Sequence, residues 1–112
     1  MQTPESKVKK KIHDYLTKLE KEGKPVYHEV REAGGLTYKK GLPDLWVVVN
    51  GLHFEIEVKA EDGRRSTLQY KWEEIFRKRH IIYACVNSVE EVAILVNVLL
   101  DSAGYSNSQE KN

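Results

Sequence analysis

Apolar residues recur at helical spacing over the first part of the chain. Thr3, Pro4 and Glu5 precede them, which is typical of a helix start because Thr caps it, Pro fits its first position and an acid suits its first turn. Gly23 and Pro25 predict where this helix ends. The apolar positions in between are Val8, Ile12, Tyr15, Leu16 and Leu19.

Strand-like segments follow this helix. Residues 26–32 have strand character, and the glycine pair at 34–35 predicts their end. Two runs of apolar and β-branched residues, 45–49 and 52–59, flank Asn50-Gly51. Asn-Gly between such runs is a strong hairpin signal, because both turn positions need a positive φ. We therefore expect the two runs to pair as an antiparallel hairpin.

The last part of the chain predicts a helix, a short strand and a second helix. Ser66 is a suitable N-cap for the first of these helices. Residues 81–86 fit the strand, and Ser88 with Glu91 forms a capping box for a last helix from 89 to about 101. The apolar residues expected to turn the first of these helices toward the core are Leu68, Trp72, Ile75 and Phe76.

The elements follow the order α-β-β-β-α-β-α. This order predicts an α/β domain with a central mixed sheet flanked by helices. A chain of 112 residues has the length of one small domain. We expect that domain to span residues 1–103, and the polar residues 104–112 to form a disordered tail.

The last predicted helix is apolar nearly all round its circumference. A helix of this kind is buried on every side, and a small domain gives a terminal helix little cover. We therefore expect this C-terminal helix to form a subunit interface in a two-fold homodimer. The alternative is burial between the sheet and the preceding helix. Its apolar residues are Val89, Val92, Ile94, Leu95, Val96, Val98, Leu99 and Leu100.

Composition and charge narrow the class of protein. Cys85 is the one cysteine, which excludes an intramolecular disulfide and a Cys-based zinc site. The longest apolar run, residues 92–100, is far too short to span a bilayer, and no secretory signal is visible, so we expect a cytoplasmic protein with no membrane partner. A formal net charge of +1 argues against coating of nucleic acid through bulk positive charge, but it leaves room for a local basic groove.

A two-residue turn pairs Val49 with Leu52, and this register brings two acids and a lysine together. Asp44 then lies directly opposite Glu57 on one sheet face, with Cβ atoms about 4.5–5.5 Å apart. Lys59, two residues beyond Glu57, projects from that face as well. The two carboxylates repel each other unless a divalent cation lies between them, and Mg²⁺ suits such oxygen ligands. These parts fit phosphodiester hydrolysis, with an ordinary cross-strand ion-pair cluster as the alternative.

The two faces of the hairpin differ in polarity. We expect one face to form core, and it carries Leu45, Val47, Val49, Leu52, Phe54 and Ile56. The other face carries Asp44, Trp46, Glu55 and Glu57. If a helix covers this second face, as in most α/β sheets, its acids are buried and need a purpose.

Basic residues flank this constellation. Lys39 and Lys40 precede the hairpin, and this position favours contact with DNA phosphates over a merely solvated loop. Arg64 and Arg65 come before a predicted helix N-terminus, itself a good phosphate site, so phosphate binding and solubility explain them equally well. The lysines between positions 7 and 11 fit the solvated face of the first helix.

Three short motifs resemble the VRR-NUC branch of the PD-(D/E)xK nuclease superfamily, whose small stand-alone members occur in phages and bacteria. The motifs are Gly41-Leu42-Pro43-Asp44, Glu57-Val58-Lys59 and Leu68-Gln69. The resemblance extends from about residue 5 to about residue 86. It implies a restriction-endonuclease-like core, in agreement with the order of elements, and an endonuclease that uses Mg²⁺, for which Mn²⁺ can substitute.

The resemblance also implies a role for each matching residue. Asp44 and Glu57 would bind the metal together with the carbonyl of Val58. Lys59 would be the catalytic lysine, and Gln69 would support that lysine or a phosphate.

Two further acids extend this comparison. Glu5 matches an acid that many relatives place near the metal. Glu55 stands where relatives mostly have an apolar residue, and we expect it to have a supporting or solvated role, since two carboxylates and the substrate already suffice for Mg²⁺.

The resemblance to small resolvases and VRR-NUC proteins suggests branched or Holliday-junction DNA as the substrate. No recognition helix or base-reading module is visible in the sequence, which favours structure-selective over sequence-specific binding. The alternatives are a sequence-specific restriction or homing nuclease and a non-catalytic DNA-binding module on the same fold. The expected location is the cytoplasm of a bacterium or of a phage-infected cell.

Overall fold

This computed structural model describes residues 3–32 and 39–102. These residues contain three helices and four strands. They follow the predicted order α-β-β-β-α-β-α. The predicted glycine stop at residues 34–35 and the predicted tail at 104–112 lie outside the described residues. The elements are α1 (Pro4–Lys21), β1 (Val26–Val30), β2 (Leu45–Val49), β3 (Leu52–Val58), α2 (Thr67–Lys78), β4 (Ile82–Val86) and α3 (Val89–Ser102).

Each helix begins where the sequence places its cap. The Thr3 hydroxyl accepts a hydrogen bond from an amide in the first turn of α1 at 3.0 Å. At α2 the Ser66 hydroxyl accepts from the Gln69 N–H at 3.2 Å, and at α3 the Ser88 hydroxyl accepts from the Glu91 N–H at 3.3 Å. These bonds satisfy amides that have no partner inside the helix.

The four strands form one mixed sheet in the order β1-β2-β3-β4. The strands β1, β2 and β3 are antiparallel neighbours, while β4 runs parallel to β3. The hairpin turns at Asn50 and Gly51, both with positive φ, and pairs Val49 with Leu52. The predicted register is therefore confirmed, and it places Asp44 just before β2, level with the far end of β3.

The helices α1 and α3 cover one face of the sheet and enclose the core. Leu52, predicted for this core, is 48% exposed. Pairing between β3 and β4 begins at Phe54, so no β4 residue flanks Leu52 at the hairpin end. The fully buried apolar side chains are Ile12, Leu16, Leu45, Val47, Val49, Phe54, Ile56, Val58, Val92, Val96 and Leu100.

The prediction that α2 turns an apolar face into the core is wrong. No residue of α2 is buried, because α2 contacts β4 on the sheet face opposite α1 and α3. Its aromatic residues pack at the edge of that face instead. The Phe76 ring lies 6.5 Å from the buried Tyr83 ring and 5.8 Å from the Trp72 ring, measured between centroids.

The helix α3 is buried on one side only. It packs against α1 and the sheet through Val92, Val96, Leu99 and Leu100. Ile94 and Val98, one turn apart, are 66% and 58% exposed, so the alternative of burial between the sheet and α2 does not hold. None of the helices in the described ranges is both long and apolar enough to cross a bilayer.

Candidate active site

Asp44 is held at the entrance to the β2–β3 hairpin by two backbone contacts. One carboxylate oxygen, Oδ2, accepts a hydrogen bond from the Val58 N–H at 2.7 Å. The Asp44 carbonyl accepts another from the Arg31 N–H at 2.8 Å. The first contact fixes the Asp44 carboxylate beside the Glu57-Val58-Lys59 segment at the end of β3, where the hairpin register predicts it.

Glu57 is a buried carboxylate with only part of its bonding capacity used. Its side chain is 1% exposed. The oxygen Oε2 accepts from the Gln69 side-chain amide at 2.8 Å and lies 3.7 Å from the Lys59 ammonium. The other oxygen, Oε1, is buried and has no hydrogen-bond partner among the described residues.

Burial is the main reason that the pKa of Glu57 rises to about 8. The negative charge of Asp44 raises it further, and the positive charge of Lys59 opposes the shift. Glu5, in the first turn of α1, adds a smaller increase, which Lys9 opposes. Glu5 therefore acts electrostatically on Glu57, and its place near a metal stays a prediction.

The residues present fit a hard divalent cation. Within residues 3–32 and 39–102, no three His, Cys, Asp or Glu side chains gather into a metal-binding group, and the candidate donors at this site are the two carboxylates of Asp44 and Glu57. Mg²⁺ is commonly held by one or two carboxylates, with water and substrate phosphate in its other positions. The orphaned oxygen of Glu57 is the kind of buried acceptor that such a cation would satisfy.

Gln69 supports the carboxylate of Glu57, whereas the resemblance implied a contact with Lys59 or a phosphate. Its amide nitrogen donates to Glu57, and its amide oxygen accepts from the Ser66 N–H at 2.7 Å. The same side chain thus completes the capping box of α2 and orients an acid of the site. The start of α2 is therefore tied to the end of β3.

The loop before Asp44 packs closely against the start of α2. Gly41 has φ +85°, and a Cβ atom there would lie 2.6 Å from the Leu68 Cβ atom. Only glycine tolerates both this backbone conformation and this approach. The Trp72 indole N–H also donates to the Lys40 carbonyl at 3.0 Å, so α2 braces the loop that carries Asp44.

A second buried acid, Glu55, has hydrogen-bond partners of its own, which the sequence does not predict. Arg31 donates to both of its carboxylate oxygens, at 2.6 and 3.1 Å, and His53 Nε2 lies 2.6 Å from one of them. Arg31 also donates to the Pro43 carbonyl at 3.0 Å. Glu55 is therefore a buried supporting residue, and the solvated alternative is excluded. No local sequence signal links position 31 to position 55.

The predicted DNA-binding residues differ in exposure to solvent and in their contacts within the protein. Lys39, Lys40 and Arg64 are exposed. Arg65 is instead held in the protein: it donates to Glu73 at 2.5 Å, and its guanidinium lies 4.1 Å from the centroid of the Tyr70 ring. Arg64 and Arg65 line an open cleft of about 470 Å³, together with Lys59, Ala60, Tyr70 and Cys85.

One lysine of α1 departs from the predicted solvated face. The Lys9 ammonium lies 3.2 Å from the Oδ1 atom of Asp44, and its side chain is 32% exposed. The neighbouring Lys10 side chain is 62% exposed and pairs with Asp14 on α1 itself. The sequence signal for Lys9 was its spacing, because it lies one turn after Glu5 and one turn before the buried Ile12.

Comparison with known proteins supports one family. A solved structure described as a VRR_NUC domain matches the chain with a TM-score of 0.66 and 27% sequence identity, over 85% of this chain and 96% of that chain. No protein-family model and no curated protein matches the chain. The structural match confirms the resemblance drawn from the three motifs and the predicted fold.

Burial of Glu57 predicts how stability depends on pH. Because folding raises the pKa of Glu57 from 4.5 to about 8, the folded state favours the protonated carboxyl. This contribution is fully present below pH 4.5 and is lost as the pH rises through about 8. In EDTA, we expect denaturant titrations to give a free energy of unfolding that falls over this range. Glu57→Gln should remove most of the fall.

The matched control is Glu74→Gln, which alters an exposed acid of α2 that pairs with Lys78 at 3.5 Å. It should leave the pH dependence of wild type unchanged. The same slope in wild type and in Glu57→Gln would contradict the prediction.

Proposed function

We propose that this chain, which its structural likeness assigns to the VRR-NUC family, is a divalent-metal-dependent nuclease that hydrolyses phosphodiester bonds in DNA. One observation carries the proposal. A buried carboxylate with an orphaned oxygen, Glu57, feels the charges of both Asp44 and Lys59, and Lys59 lines an open cleft. A protein that used this fold only for structure would gain nothing from such a costly group.

Each side chain of the proposed active site would have a separate role. Asp44 and Glu57 would hold Mg²⁺, with the Val58 carbonyl as a third donor and Mn²⁺ as a substitute metal. The cation, when bound, would supply Lewis-acid polarisation of a phosphoryl oxygen. Lys59, beside Glu57, would position the attacking water or remove its proton. Gln69 keeps the Glu57 carboxylate in one orientation through its hydrogen bond.

The substrate that we propose is branched duplex DNA, including the Holliday junction. Lys39, Lys40 and Arg64 are exposed on the loops around the acids and would contact the phosphate backbone, which sets position without reading sequence. Glu5, in the first turn of α1, would add negative charge near the metal. Such an enzyme would act in the cytoplasm of a bacterium or of a phage-infected cell.

Two other functions remain as competitors to this proposal. A sequence-specific nuclease needs base contacts, and the sequence shows no recognition helix or base-reading module to make them. A non-catalytic DNA-binding module would need the basic residues but not the buried acids. The acid pair beside Lys59 therefore favours catalysis over binding alone.

Cleavage of a labelled DNA panel tests the activity. The panel contains duplex, single strand, flap, splayed arm and four-way junction, with Mg²⁺ and then Mn²⁺. We expect wild type to cut the junction most efficiently and Lys59→Ala to lose about 100-fold or more in rate, because the group beside the reacting phosphate is removed.

The matched control is Lys71→Ala, since Lys71 is exposed on α2 and should keep wild-type cleavage. Cutting that favours flaps would move the substrate away from junctions. Binding of the junction without cleavage of any substrate would contradict the nuclease and favour the binding module.

We also propose that the chain forms a homodimer through α3. Ile94 and Val98 leave an apolar strip exposed on this helix, and a second copy on a two-fold axis would cover it with the same strip. Two active sites in one dimer would match a substrate with two strands to cut.

Sedimentation velocity at micromolar concentration tests the dimer. We expect wild type to sediment as a dimer and Ile94→Asp as a monomer with an unchanged circular dichroism spectrum, because a charge in an apolar interface is costly to bury. Glu90→Gln, also exposed on α3, should remain dimeric. A monomeric wild type would overturn this part of the proposal.

A further inference from the structure

Lys9 reaches the proposed active site from α1. Its ammonium lies 3.2 Å from Oδ1 of Asp44, and its positive charge lowers the pKa of Glu57. Helical spacing places it on the same side of α1 as Glu5, one turn earlier. Lys9 is thus a second cation beside the two acids, since it pairs with Asp44 while Lys59 pairs with Glu57.

Both carboxylate oxygens of Asp44 have partners inside the protein. The Val58 N–H binds Oδ2, and Lys9 pairs with Oδ1. A divalent cation bound to either oxygen of Asp44 would therefore lie close to the Lys9 ammonium. Like charges at such distances repel strongly where water is scarce, so metal binding and the Lys9–Asp44 pair oppose each other.

A cleft beside Asp44 gives the displaced side chain a place to go. It has a volume of about 330 Å³, and its lining carries two cations and two acids, Lys9, Arg31, Glu32 and Asp44, beside Leu42 and Pro43. The flexible stem of a lysine allows its ammonium to move from one oxygen to another. Asp44 lines this cleft. A DNA strand with one phosphate at Asp44 would therefore place a neighbouring phosphate in the cleft.

We propose that this cleft is a phosphate-binding subsite whose cation is Lys9, and that a divalent metal bound at Asp44 turns Lys9 from the carboxylate to the DNA backbone. The inference rests on the proposed function and deepens it. Metal and DNA then bind cooperatively through Lys9, in addition to any direct contact between metal and phosphate. Lys59 has a different role, because it pairs with Glu57.

Calorimetric titration of Mg²⁺ into the full chain tests the competition. At about pH 9, protons compete little for Glu57, since its pKa is about 8. We expect Lys9→Met to bind Mg²⁺ about 5-fold more tightly than wild type, because the competing cation is gone. Lys9→Arg should restore the wild-type affinity. Lys10→Met is the matched control and should change nothing, since Lys10 pairs with Asp14.

Fluorescence anisotropy with junction DNA tests the transfer of Lys9 to phosphate. All variants carry Lys59→Ala, so that the DNA is not cut. With Mg²⁺, Lys9→Met should bind about 5-fold more weakly, and the slope of log affinity against log salt should shrink by about one. In EDTA, Lys9→Met should bind DNA as tightly as the parent, because Lys9 is then engaged by Asp44.

The outcomes separate this inference from the proposed function. If wild type binds Mg²⁺ and cuts DNA, but Lys9→Met binds Mg²⁺ no more tightly, the inference is overturned and the nuclease stands. An equal loss of DNA affinity with Mg²⁺ and in EDTA also overturns it. If wild type binds no Mg²⁺ and cuts no DNA, both proposals fail together.

Discussion

A carboxylate buried in a sheet must be balanced by hydrogen bonds or by a cation, and Glu57 is the buried carboxylate around which this site is arranged. Its burial raises its pKa to about 8. Gln69, at the start of α2, satisfies one of its oxygens, and the other has no hydrogen-bond partner among the described residues. Gln69 and Lys59 both contact this carboxylate, whereas the negative charge of Asp44 raises its pKa further.

Glu55, on the same strand, is a buried carboxylate whose charge is balanced by contacts within the protein. Glu55 is as deeply buried as Glu57, but Arg31 and His53 engage both of its oxygens. The same Arg31 binds the Pro43 carbonyl and so steadies the loop before Asp44. One acid of β3 is thus fully neutralised and supports the site, whereas the other keeps capacity for a ligand.

The sequence predicts contacts between residues that are close along the chain better than contacts between separate elements. Asn50-Gly51 fixed the hairpin register, and with it the meeting of Asp44 and Glu57, because a two-residue turn determines every pair that follows. The pairing of Arg31 with Glu55 and the reach of Lys9 depend on how separate elements pack, and local patterns carry no such information. The same limit explains why α2 was wrongly placed against the core: its apolar spacing gives a face but not the neighbour that covers it.

We propose that Asp44 and Glu57 bind one metal ion together. Crystals soaked in Mn²⁺, with anomalous scattering recorded near the manganese edge, would show whether they do. We expect a peak bound by both carboxylates in wild type and its loss in Asp44→Asn. A Mn²⁺ peak elsewhere in the protein, or no peak between these two residues at saturating Mn²⁺, would contradict it.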